Sequence, residues 1–335
     1  MKAIAYRQHG LPVDDPESLI DLELPTPAPG PRDLLVAVKA ISVNPVDTKI
    51  RANAVASEPR VLGWDAVGVV QALGSEVTLF KVGDEVWYAG DLTRPGTNSE
   101  LHLVDERIAA LKPRSLDNPS AAALPLTSIT AWELLFDRLA VPEGGGAGQS
   151  LLIIGAAGGV GSILTQLARQ LTQMTVIASA SRPQTQAWVQ QLGAHHVIDH
   201  SRSIPEELER IGVGQVSHVV SLTHTDSRFA ELIEALQPQG HLALIDDPKT
   251  LDVVPMKRKS LSLHWELMFT RSLYQTDDMI AQHRLLTRVA ELIDSGVLKT
   301  TVGEHFGTIN AANLRRAHGL LESGKAQGKI VLEGF

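Results

Sequence analysis

The sequence predicts an α/β protein that joins a doubly wound parallel-sheet domain to a second, β-rich domain. Three observations carry this. Leu151-Leu152-Ile153-Ile154 is a short apolar strand that breaks into Gly155-Ala156-Ala157-Gly158-Gly159-Val160-Gly161. Val160, Ile163, Leu164, Leu167 and Leu171 then recur at helical spacing before a second apolar strand, Thr175-Val176-Ile177-Ala178, which makes a βαβ unit. Before this unit the chain has a different texture, with short β-rich runs punctuated by Gly and Pro.

Taken in order, Pro25, Pro27, Pro29 and Pro31 mark an extended entry to the β-domain, and Leu34–Ile41 and Val67–Val70 read as strands with turns at Leu73-Gly74 and Val82-Gly83-Asp84. A single helix is expected from Ser120 to Leu139, followed by a glycine-rich turn at Glu143–Gly148. After the βαβ unit the pattern predicts helices at Gln184–Leu192, Pro205–Arg210 and Arg228–Leu236. They alternate with strands at Val197-Ile198, Val216–Ser221 and His241–Ile245, as in a parallel sheet covered on both faces. A long helix near Asp277–Ser295, a β-rich Gly303–Thr308, a helix Ala311–Ser323 and a strand Lys329–Leu332 close the chain.

The 335 residues, 44% of them apolar, suffice for two cores. With 30 Lys plus Arg against 38 Asp plus Glu and no basic run, neither nucleic acid nor an anionic membrane is an expected partner. No apolar stretch is long enough for a membrane span, and Met1–Gly10 is too polar for a signal peptide, so the expected location is cytoplasmic. The absence of cysteine excludes disulfides, iron–sulfur clusters, thiolate catalysis and cysteine-ligated zinc. His195-His196 is not expected to hold a metal, because neighbours in a strand face opposite ways.

The glycine turn predicts a dinucleotide site. Gly158 lets the main chain approach a pyrophosphate, Gly161 lets helix and strand pack closely, and the N–H groups of Ala157, Gly158, Gly159, Val160 and Gly161 lie where a helix start binds anions. Ala156 replaces the first glycine, so the motif reads A-x-G-x-x-G. An NAD-selective fold carries Asp or Glu at the end of the second strand. Here Ser179-Ala180-Ser181-Arg182 has none, and Ser179, Ser181 and Arg182 suit a 2′-phosphate, so NADPH is the expected cofactor. Leu222, Thr223 and Ile245 end the later strands at the ligand-binding edge of such a sheet.

Five segments together resemble the medium-chain dehydrogenase/reductase superfamily: Ile41–Asp47, Leu62–Gly68, Val82–Val86, Leu124–Ala131 and Ala156–Gly161. Within it the chain is similar to the zinc-free quinone oxidoreductase branch, and more narrowly, through Ser221–Asp226 and His264-Trp265-Glu266, to bacterial zinc-type alcohol dehydrogenase-like proteins. The resemblance implies a GroES-like domain at residues 1–125 and 276–335, a Rossmann domain at 126–275, a homodimer, and hydride transfer from NADPH to a quinone or an α,β-unsaturated carbonyl. At the positions of the three catalytic zinc ligands it places Asn44, Trp64 and Leu126, so no zinc is expected.

The same resemblance makes Asn44 the leading donor to the substrate carbonyl and sets Trp64 and Asp47 in the substrate pocket. It places Thr130 against the nicotinamide with Thr127 beside it, and Thr127 joins Lys49 as the catalytic donor to examine after Asn44. Lys49 stands where relatives often carry tyrosine and has two readings, an enolate-stabilising cation or a solvated side chain; Lys329 is either a phosphate contact or a surface lysine. Two other functions compete: a zinc-dependent alcohol dehydrogenase, and a cofactor-binding structural or redox-sensing protein with little turnover.

Overall fold

The computed structural model describes residues 1–335. They form two units, one made of Met1–Ile129 with Phe269–Phe335 and one made of Thr130–Met268.

The first unit starts with β1 (Lys2–Tyr6), β2 (Ile20–Glu23), β3 (Asp33–Val43), α1 (Pro45–Asn53) and β4 (Arg60–Val61). It continues through β5 (Ala66–Leu73), β6 (Glu85–Tyr88), β7 (Leu101–Asp105), β8 (Ala109–Leu111) and α2 (Asn118–Ala122). The helix expected over Ser120–Leu139 is broken. Pro125, which lacks an N–H and disfavours helical geometry in the residue before it, starts α3 (Pro125–Trp132) afresh, and a turn of π-helix follows at Glu133–Arg138.

In the second unit, β9 (Ser150–Ile154), α4 (Gly159–Leu171), β10 (Thr175–Ser179), α5 (Pro183–Gln191), β11 (His196–Ile198) and α6 (Ile204–Arg210) come first. Then follow β12 (Val216–Ser221), α7 (Thr225–Ala235), β13 (Leu236–Leu244) and β14 (Ser262–Trp265). β13 begins at Leu236, earlier than the sequence pattern suggested, because Leu236 pairs with Val216 ahead of a register shift. All six strands run parallel in the order β11-β10-β9-β12-β13-β14. The order reverses at β9, the switch point beside which open α/β sheets bind ligands. One face is sealed by Leu152, Ile154, Ile177, Val219, Leu232 and Leu242, all buried.

The first unit is completed by α8 (Thr270–Tyr274), α9 (Ile280–Asp294), β15 (Val302–His305), α10 (Ala311–Glu322) and β16 (Lys329–Glu333). Its main sheet runs β15-β16-β3-β5-β6-β8 with β7 also on β3, and a smaller sheet runs β2-β1-β4. β3 is the hub of the main sheet: β16 pairs with its carboxyl-terminal half and β5 with most of its length. No helix is long and apolar enough to cross a membrane.

Candidate nucleotide site and a buried polar network

In the second unit the register pairs Ser221 of β12 with Ile154 of β9, so both strands end side by side at the switch point. The Leu222 N–H donates to the Ile154 carbonyl at 3.2 Å, and a β-carbon on Gly155 would lie 3.1 Å from Thr223 Cγ2. Leu222 and Thr223 therefore flank the glycine turn. Gly155 adopts φ +78, a left-handed conformation that favours glycine. Gly161 is required for packing, since a β-carbon there would fall 2.5 Å from Ala156 Cα.

Gly158 is different. Its φ of −76 suits any residue, and a β-carbon would meet only the Gly155 carbonyl oxygen at an ordinary 3.5 Å. The fold itself does not demand glycine here, so the missing side chain keeps space beside the amino end of α4. That end has no side-chain cap, which leaves the first-turn N–H groups of Gly159, Val160 and Gly161 for an anion.

At the end of β10, Ser179 is buried and its hydroxyl oxygen accepts the Gly155 N–H at 3.1 Å, tying the second strand to the turn. Ser179 is thus a brace. Ala180 is also buried, whereas Ser181 is half-buried and Arg182, which opens α5, is exposed. Ile245 follows the last residue of β13. Thr130, near the end of α3, is buried.

The first unit holds a second group of the expected residues, buried and densely bonded. Asp65, with no solvent exposure, accepts at Oδ2 from Ser42 Oγ (2.6 Å), Asn44 Nδ2 (2.8 Å) and Lys329 Nζ (3.1 Å), and at Oδ1 from the Leu126 N–H (2.8 Å). Lys329 also donates to the Val43 carbonyl at 3.0 Å and to Asn44 Oδ1. Asp47 lies at the third position of α1 and accepts the Asn44 N–H at 2.7 Å. Burial pushes the Asp47 carboxyl up to about 7, with Asp65 adding to the rise and Lys329 opposing it.

This geometry corrects several expectations. Lys329 is neither a phosphate contact nor a surface lysine: it is 3% exposed and its three ammonium hydrogens go to three protein oxygens. Asn44 is not a free donor, because one amide hydrogen goes to Asp65 and the other to the Trp64 carbonyl at 3.3 Å. Trp64 is buried edge-on to Phe269, and its indole N–H is held by the Asp91 carbonyl. The Thr127 hydroxyl donates back along its own chain, to the carbonyl of Leu124 just before α3, at 3.1 Å. Lys49 is exposed on α1.

The zinc-ligand positions do not fit a metal. Asn44, Trp64 and Leu126 offer one amide already bonded, an indole and an aliphatic chain, and no group of three His, Cys, Asp or Glu side chains is placed to hold a metal ion. His195 instead accepts the Val176 N–H at 2.9 Å through Nδ1. The central role of Asp65 was not anticipated. Its signal in the sequence is the pairing of three strands, which a local reading does not reveal.

Comparison with known proteins agrees with this architecture. Residues 30–110 match the alcohol dehydrogenase GroES-like domain, and residues 192–332 match the zinc-binding dehydrogenase family. A zinc-type alcohol dehydrogenase-like protein of Staphylococcus aureus is 40% identical over 91% of this chain and 92% of its own length. A tomato (Solanum lycopersicum) 2-methylene-furan-3-one reductase is 28% identical over 99% of this chain and 79% of its own. Among solved structures, a Rhizobium etli protein assigned by name to the zinc-dependent alcohol dehydrogenases shares 55% identity at a TM-score of 0.96, covering 100% and 98% of the two chains. Escherichia coli quinone oxidoreductase complexed with NADPH shares 27% at 0.85, covering 100% of both. The chain belongs to the medium-chain dehydrogenase/reductase superfamily, with relatives named zinc-type alcohol dehydrogenase-like proteins. It is an oxidoreductase with a GroES-like domain and a parallel-sheet, Rossmann-like domain.

Proposed function

We propose that this oxidoreductase reduces a quinone or an α,β-unsaturated carbonyl with NADPH, without a metal, as a homodimer. The observation that carries the proposal is the turn at Gly158, a glycine the fold does not need, beside an uncapped helix start at the switch point of the sheet. The absence of a carboxylate from Ser179-Ala180-Ser181-Arg182 favours NADPH over NADH. The Escherichia coli quinone oxidoreductase solved with NADPH and the tomato furanone reductase support the acceptor class.

On this reading the N–H groups of Gly159, Val160 and Gly161, with Ala157 beside them, hold the pyrophosphate over the open face of Gly158, whose own N–H goes to the Gly155 carbonyl at 3.1 Å, while Ser181 and Arg182 hold the 2′-phosphate. Leu222, Thr223 and Ile245 line the nucleotide at the strand ends, and Thr127 and Thr130 on α3 border the nicotinamide. Bound NADPH supplies the hydride. The chain's own task is to align the acceptor, exclude water and meet the negative charge that develops on its oxygen. Because the Asn44 amide is committed inside the network, Lys49 becomes the first donor to examine, and solvent supplies the proton.

Anaerobic NADPH oxidation across quinones, enones and aldehydes, with and without a chelator, tests the proposal. Chelator-insensitive turnover of a quinone or enone is expected. Turnover confined to an alcohol–aldehyde pair and abolished by the chelator overturns it, as does cofactor binding with no turnover of any acceptor.

A further inference from the structure

We infer that Lys329 is a positioning residue. Its ammonium is a built-in cation that holds the Asp65 carboxylate, and through Asp65 it fixes both the Asn44 side chain and the amino end of α3. The kinetic part of this inference rests on the proposed reaction; the structural part does not.

The backbone delivers the pair. Ile330 pairs with Val43 across β16 and β3, which sets Lys329 opposite Asn44, and Ile41 pairs with Ala66 across β3 and β5, which sets Asp65 opposite Ser42. Three adjacent strands thus bring a cation, an amide, a hydroxyl and a carboxylate together out of water.

The need for the cation follows from burial. Asp65 is fully buried, and Asp47, buried close by, adds electrostatic repulsion once it ionises above about pH 7. Hydrogen bonds from Ser42, Asn44 and Leu126 satisfy lone pairs without cancelling charge, and Lys329 is the cation bonded to Asp65.

The link to α3 comes from an incomplete cap. Leu124, just before the helix, has no side-chain acceptor, and Pro125 has no N–H, so Leu126 carries the first N–H that a cap would satisfy. Asp65, 61 residues away in sequence, accepts it at 2.8 Å and sets a negative charge at the positive end of the helix. The helix so anchored carries Thr127 and Thr130. Releasing Asp65 therefore shifts these threonines, and small misplacements at a reacting site cost rate steeply.

The test compares Lys329→Ala, with and without small alkylammonium ions, to wild type in thermal melts, NADPH titration and single-turnover NADPH oxidation. Lys329→Ala should lower the melting temperature and slow transfer by about 10- to 100-fold, with NADPH affinity changed less than about twofold. Ethylammonium, which replaces the missing cation, should restore both melting temperature and rate saturably; choline, too bulky to enter, should restore neither. Where Lys329→Ala does not fold, the Lys329→Met and Lys329→Met/Asp65→Asn variants replace it, and the double variant should melt above the single one because no unpaired charge is left buried. Weakened NADPH binding with an unchanged transfer rate at saturation overturns the inference in favour of a phosphate contact. Wild-type rates in Lys329→Met, or a double variant no more stable than the single, overturn it too. Wild-type protein that turns over no acceptor removes the proposed reaction, while recovery of the melting temperature by ethylammonium still decides the pairing.

Discussion

The Asp47 carboxylate accepts the main-chain N–H of Asn44 at 2.7 Å from a position almost sealed from solvent. Burial raises its pKa from an ordinary 3.8 to about 7, although Lys329 pulls the other way. Between these values the folded protein keeps a proton that the unfolded chain releases. Stability therefore falls as pH rises through this window and stays reduced above it.

Asp47→Asn removes that titration and keeps an oxygen for the Asn44 N–H. The variant should match wild type near pH 4 and exceed it at pH 8 by up to about 4 kcal/mol, the value of a three-unit shift. Burial depresses His102 and His218 to about 4 and His318 to about 3, which acts in the opposite sense at acid pH but cancels in the difference between the two proteins. Urea unfolding at several pH values measures the difference; a gap that does not vary with pH rejects the assignment.

Two glycines in one turn should respond differently to alanine. Gly161→Ala drives a β-carbon to 2.5 Å from Ala156 Cα, where backbone has to move, and should destabilise the fold by about 1 to 3 kcal/mol. Gly158→Ala meets no such obstacle and should leave the melting temperature nearly unchanged while weakening NADPH by about tenfold or more, because on the proposed function the pyrophosphate takes that space. Melts and cofactor titrations on both variants distinguish the cases. A Gly158→Ala protein that binds NADPH as wild type does would show that this turn is not the pyrophosphate site.

Arg182 should set cofactor choice. A charge-assisted hydrogen bond contributes about 1.5 to 3 kcal/mol, so Arg182→Ala should cost roughly 10- to 150-fold in NADPH affinity and little in NADH affinity. Parallel titrations read the ratio, and equal affinity of the unaltered protein for the two cofactors defeats the expectation.

Purified without a metal-affinity column, the protein should carry far less than one zinc per chain, and chelators should leave its reductase activity intact. The side chains at Asn44, Trp64 and Leu126, a committed amide, an indole and an aliphatic chain, are the reason. Elemental analysis alongside activity is the check. One zinc per chain, lost together with activity, would restore the metal-dependent reading.

Local signals were legible where structure is local. The strand, glycine turn and helix from Leu151 to Leu171 have the same form in the sequence pattern and in the fold, because apolar periodicity and glycine geometry act over a few residues. Pro125 was visible too, yet an apolar pattern on both sides of it concealed the break in the helix. Lys329 was misread because its partners are set by pairing across distant strands, and a lysine at a strand start gives no local sign of burial. The face-to-face rings of His218 and His241, with centroids 4.9 Å apart, went unnoticed for the same reason: a register across β12 and β13 creates them.

The bond between Asp65 and Lys329 spans 264 residues, and the whole second unit, Thr130–Met268, lies between them in sequence. At ribosomal speeds of about 5 to 20 residues per second, Asp65 is made roughly 13 to 53 s before its cation. Through that interval β3 lacks β16, and the sheet around Asp65 can close only by burying an uncompensated charge or by forcing a proton onto the carboxylate, each at a cost in stability. Translation thus imposes an order in which the contiguous unit is free to fold first and the split one waits for the final strand. A chain released before Lys329 ends with an acid where its core should be, and so becomes a natural client for chaperones and proteases.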